Sequence, residues 1–72
     1  MEQLKTIKEL INQGDVAEAI RQLDEYLITD STDRDEAFYL LGNAYRKQGN
    51  WQLALNNYQY AIDLNPDLAA WK

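Results

Sequence analysis

The chain has 72 residues, enough for one small domain whose thin core lies near the limit of independent stability without a disulfide, a metal or a partner. It contains no cysteine and no histidine. That removes disulfide staples, thiol nucleophiles, the usual zinc ligands and the commonest acid–base side chain at neutral pH. A formal charge of −5 and a pI of about 4.4 repel phosphate backbones, which argues against nucleic acid or an anionic membrane as partner.

With 46% hydrophobic residues, one proline and three glycines, the chain is expected to fold. No uninterrupted apolar run approaches the roughly 18 residues that span a bilayer. The opening Met1-Glu2-Gln3-Leu4-Lys5 lacks the basic-then-apolar order of a secretory signal. A cysteine-free acidic chain fits a reducing compartment, and a cytoplasmic location is expected.

In chain order, Leu4, Ile7, Leu10 and Ile11 share one helical face. That helix should close at Asn12-Gln13-Gly14, where Gly14 can take the left-handed conformation. Asp15 is the expected N-cap of a second helix, which carries Val16, Ala19, Ile20, Leu23 and Leu27 inward and runs to about Ile28. The polar run Thr29-Asp30-Ser31-Thr32-Asp33 breaks the pattern. Thr32 with Asp35, or Asp33 with Glu36, would form a capping pair for a third helix. Its inner face reads Phe38, Leu41, Ala44 and Tyr45, and it should end at Gly49. Asn50 caps a fourth helix with Trp51, Ala54, Leu55, Tyr58, Ala61 and Ile62 inward. Asn65-Pro66 ends it and starts a short fifth helix. No segment alternates apolar with polar residues, so the expected class is all-α.

The two halves repeat one another. Gln13-Gly14-Asp15 followed by Ala19 parallels Gln48-Gly49-Asn50 followed by Ala54, an offset of 35. Leu4, Ile7 and Ile11 pair with Phe38, Leu41 and Tyr45 at an offset of 34. A period of two helices and about 34 residues points to a helical repeat array.

The second half supplies Phe38, Leu41-Gly42, Tyr45, Ala54, Tyr58, Ala61 and Pro66, with Ala44, Gly49, Leu64 and Asn65 beside them. This pattern resembles the tetratricopeptide repeat family. The first half is a divergent copy, with Lys8 where Leu-Gly would end and Ser31 or Thr32 in place of the proline. The resemblance implies two antiparallel helix hairpins of a right-handed solenoid plus a short C-terminal fifth helix. It divides the chain into a first repeat over about 1–33, a second over about 34–67, and a truncated third-repeat or capping helix over 66–72. Small residues at Gly42, Ala44, Ala54 and Ala61 let helices approach, and Phe38, Tyr45 and Tyr58 fill the wedge between them.

Catalysis needs convergent polar groups in a dry cleft. The available carboxylates, Asp24, Glu25, Asp33, Asp35 and Glu36, fall on solvated faces or at a helix start. The run from Asp30 to Glu36 lacks the spacing and central glycine of a calcium loop, and there is no glycine-rich phosphate loop. The expectation is a non-enzyme without a cofactor or metal.

Family resemblance implies a protein–protein interaction module binding a peptide or partner helix in the groove lined by the first helix of each repeat. The implied peptide-binding residues are Tyr39, Asn43, Arg46, Lys47 and Lys5, with Glu36, Glu2, Glu9 and Asn12 on the same faces. Lys5 is followed one turn later by Glu9, an anion where a carboxylate clamp requires a neutral amide, so that clamp is not expected. A second reading makes the chain a homodimer or assembly module through an incompletely covered C-terminal face of Leu55, Ile62, Leu68 and Trp71. A third makes it a fragment of a longer repeat array, although Met1 suggests a natural start.

Overall fold

The computed structural model describes residues 2–29 and 32–69. These form four α-helices: α1 (Glu2–Asn12), α2 (Val16–Thr29), α3 (Arg34–Gln48) and α4 (Trp51–Leu64). A single 3-10 turn, Pro66–Ala69, follows. The architecture is two antiparallel helical hairpins, α1–α2 and α3–α4, joined side by side through α2 and α3. There is no strand among the described residues.

The two hairpin turns are built alike. Gly14, at φ 89°, donates its N–H to the Ile11 carbonyl at 3.0 Å, and Asp15 donates to the Leu10 carbonyl at 2.8 Å. Gly49, at φ 81°, donates to Arg46 at 3.0 Å, and Asn50 donates to Tyr45 at 2.9 Å. This pair of bonds closes a helix through a left-handed residue, a backbone state open to glycine at little cost. Asn50 then caps α4, its side-chain oxygen accepting from the Leu53 N–H at 3.3 Å.

The start of α3 departs from expectation. Asp33 occupies the N-cap position in the left-handed region, at φ 52°, and makes no side-chain cap bond. A capping side chain needs extended backbone beneath it, which Asp33 does not have. The junction is held from the other direction. Arg34 Nη1 donates to the Leu27 carbonyl at 2.9 Å, and the Tyr26 hydroxyl donates to the Thr32 carbonyl at 2.9 Å.

The core is centred on α1, α2 and α3. Leu4, Ile7 and Ile11 meet Ala19, Leu23 and Tyr26 from α2 and Ala37, Leu40, Leu41 and Ala44 from α3. Tyr26 is completely buried. Helix α4 packs closely on α3 through small residues, with Ala54 and Ala61 buried and the Tyr58 ring lying against Gly42. The expected inner face of α4 is therefore corrected at two positions: Trp51 is 62% exposed and Leu55 is 64% exposed. They lie on the side of α4 turned away from α3, where no further helix covers them among the described residues.

The fifth helix begins as expected at Asn65-Pro66. Asn65 accepts the Leu68 N–H on its backbone carbonyl at 3.0 Å and the Asp67 N–H on its side chain at 3.2 Å. Trp71, assigned from sequence to an oligomer interface, lies outside the described residues.

Candidate functional site

A groove of about 340 Å³ opens between α1, α3 and the C-terminal turn. Lys8 stands on the α1 wall. Asp35, Glu36, Tyr39, Leu40 and Asn43 come from successive turns of α3, and Asn65 and Leu68 close the far side. Leu40 is buried and gives the groove an apolar base. The α3 residues recur at intervals of three and four, which places them on one face of that helix.

Polar side chains line the groove along its apolar base, and hydrogen bonds fix it at both ends. At one end Asn65 Nδ2 donates to Asp35 Oδ2 at 2.9 Å, tying the C-terminal turn to the first turn of α3. At the other end the Tyr58 hydroxyl donates to Asn43 Oδ1. Tyr39 and Tyr58 stack obliquely, their ring centroids 5.5 Å apart. Burial pushes the Tyr58 phenol above its ordinary range.

Of the residues expected to bind peptide, Tyr39 and Asn43 line this groove, with Glu36 between Asp35 and Tyr39 on its rim. Arg46 is exposed on the next turn after Asn43, close enough to act electrostatically on the Tyr58 phenol. Lys47 and Lys5 are exposed and are not part of the groove wall. Glu9 and Asn12 are likewise exposed and outside it.

Sequence reasoning passed over Lys8, Asp35 and Asn65, and placed Leu68 on an oligomer face. Lys8 carried a signal, since the repeat offset puts it at the position of Gly42, at the centre of its hairpin. Asp35 and Asn65 meet across 30 positions of sequence, and no local pattern reports such a pair.

A second, smaller hollow of about 290 Å³ lies where α3 begins and α4 ends, lined by Arg34, Phe38, Tyr60, Asp63 and Leu64. Phe38 and Tyr60 meet edge to face at 5.3 Å, and the Arg34 guanidinium sits 5.5 Å above the Phe38 ring. Of the expected oligomer residues, Leu55 is exposed, Ile62 is half-buried, and Leu68 is half-buried in the groove. Among the described residues no group of three or more Asp or Glu side chains could hold a metal ion, and no helix is long and apolar enough to cross a membrane.

Residues 35–68, which carry most of the groove, match the tetratricopeptide repeat. This stretch is a repeat of the tetratricopeptide family. Members of this family are protein–protein interaction modules, generally non-enzymatic scaffolds that bind proteins or peptides. Over 57 residues, 76% of its length, this tetratricopeptide chain is 42% identical to the photosystem I assembly protein Ycf3 of Synechococcus sp. (strain CC9902). It spans only 33% of the length of that curated relative. It is also similar to the solution NMR structure of Bacteroides fragilis protein BF1650, with a TM-score of 0.86 and 67% identity. That likeness covers 93% of this chain and 68% of the other.

Proposed function

We propose that this tetratricopeptide chain is an adaptor whose groove takes an extended peptide or a partner helix along α3. In this reading the chain comprises two repeats, over about 1–33 and 34–67, with a truncated third-repeat or capping helix over 66–72 behind them. The observation that carries the proposal is the groove itself. An apolar base at Leu40, an aromatic wall at Tyr39 and side-chain hydrogen-bonding groups at Glu36 and Asn43 converge on one open channel. The acidic, cysteine-free composition suits the reducing cytoplasm, where we place the module. One relative is named for the assembly of a larger complex, which fits a role in bringing proteins together.

The test is to pan a library of short random peptides against the protein and measure the enriched binders by calorimetry. Tyr39→Ala should weaken them about tenfold, as expected for loss of an aromatic anchor. Binders indifferent to Tyr39→Ala and to Asn43→Ala with Arg46→Ala would remove the groove from consideration.

A second reading is favoured by the exposure of Trp51 and Leu55, which with Ile62 form an apolar stripe along α4 at helical spacing. Homodimerisation or packing on another domain through this stripe would cover it. Light scattering behind size exclusion over a wide concentration range tests this. A dimer that Leu55→Glu dissociates supports it, and a monomer at every concentration rules out the homodimer.

A further inference from the structure

We infer that Tyr58 is a positioning residue for the groove. Its hydroxyl turns the Asn43 side-chain amide so that the Nδ2 amino group is presented to a backbone carbonyl of the bound peptide. The inference rests on the groove reading and adds to it the polarity of one contact.

An asparagine amide can face either way, offering two N–H donors or a carbonyl acceptor. Here the orientation is set from behind. Tyr58 belongs to α4, and its ring is fixed in position by Gly42 on one side and the Tyr39 ring on the other. Its hydroxyl donates to Asn43 Oδ1, across 15 positions of sequence and between two helices. The Nδ2 group has no acceptor among the described residues, and Asn43 lines the groove.

The reverse arrangement is disfavoured. With the amide turned over, the phenol would accept from Nδ2 and its own proton would need another acceptor. Arg46, the cation acting on this phenol, has no lone pair to offer, and only solvent would remain to take that proton. The phenol therefore donates and the amide oxygen accepts. What remains unpaired for the groove is the amide N–H group, a donor that pairs with a carbonyl oxygen.

Tyr58→Phe keeps the ring against Gly42 and removes only the hydroxyl. The probe is a peptide taken from the random library by its dependence on Tyr39. Tyr58→Phe should weaken that peptide about fivefold, the loss expected for one neutral hydrogen bond, while the protein stays folded and its melting temperature falls by no more than one lost hydrogen bond allows. Asn43→Ala should weaken it to a similar degree, and the double variant should bind no worse than Asn43→Ala alone. Without peptide, the Asn43 side-chain amide resonances should move in Tyr58→Phe. Undiminished binding by Tyr58→Phe, or losses that multiply in the double variant, would overturn the inference while leaving the groove reading intact. A library that yields no Tyr39-dependent binder would bring down both, and is a result distinct from those of the Tyr58 series.

Discussion

The Tyr58 ring lies so close to Gly42 that a β-carbon built on the glycine would stand 2.5 Å from ring carbons Cδ1 and Cε1. Gly42 is thus a point of close contact between α3 and α4, and the same ring carries the hydroxyl that holds Asn43. One ring thus takes part both in the packing of the second hairpin and in the polarity of the groove.

Gly42→Ala therefore sets two effects against each other. Alanine favours the helix by about 1 kcal/mol relative to glycine. Overpacking against the body of a ring costs typically about 1–3 kcal/mol. The Cγ atom also lies within 2.9 Å of the added carbon, so no swing of a flexible side-chain tip relieves the clash. The net expectation is destabilisation by about 1 kcal/mol, a fall of about 4–8 °C in melting temperature for a domain of this size. Thermal unfolding followed by circular dichroism gives the answer. A higher melting temperature would show that helix propensity wins and that the contact yields freely.

Tyr26 is the largest completely buried side chain, and its hydroxyl reaches the Thr32 carbonyl at the entry to α3. Tyr26→Phe should lower stability by about 1 kcal/mol, the usual net worth of one such bond. Tyr26→Ala removes the ring as well and should lower stability by about 3–5 kcal/mol. Losses of that size are large for so small a domain. Urea titrations should separate the two variants clearly. Equal midpoints for Tyr26→Phe and wild type would mean that the bond contributes nothing to joining the hairpins.

Much of this was legible in the sequence because it is local. Gly14 and Gly49 end helices through a backbone state that their side-chain-free α-carbons permit, and Asn50 caps at short range. The repeat offset and the residues from Phe38 to Pro66 carried the family. Misreadings arose where the answer lay in another element. Periodicity placed Trp51 and Leu55 on an apolar face, but it cannot report whether a further helix covers that face. Tyr26 follows Ala19 and Leu23 at the core spacing and is buried with them without having been expected there, while Leu27 packs against the core as expected. The polar run before α3 offered several capping residues, and the fold used Arg34 reaching back to Leu27 instead. The groove was only half visible for the same reason, since Lys8, Asn65 and Leu68 approach it from outside α3.

Because both hairpin turns need a left-handed residue, Gly14→Ala and Gly49→Ala should each destabilise the fold. The added β-carbon meets nothing within 4 Å at either site, so the effect is one of backbone conformation alone. It should amount to about 1–2 kcal/mol at each position. The turns have no shared partner, so the double variant should lose the sum. A stabilised or unchanged Gly14→Ala protein would show that the first turn can relax out of the left-handed region.

Among the described residues the acid dependence of the fold has one identifiable surface contributor. Arg21 donates to Glu18 through Nε at 3.1 Å and Nη2 at 2.6 Å, and Gln22 adds a third bond at 2.8 Å. These bonds, that from Arg21 foremost, hold the Glu18 carboxyl down at about 2 from an ordinary value of 4.5. A carboxylate whose value is lower in the folded state stabilises the fold above its unfolded value, and that contribution is lost as pH falls through the folded one. The Glu18 contribution is thus complete above about pH 5 and fades between 4.5 and 2. The pair is solvent-exposed, so its effect on stability should be small and should shrink further in high salt. Carboxyl-carbon NMR titration reads the group directly. Glu18 should titrate well below the usual carboxylate range in the wild type and return toward it in Arg21→Met. A Glu18 midpoint that is the same in both proteins would mean that the bidentate pair does not persist in solution.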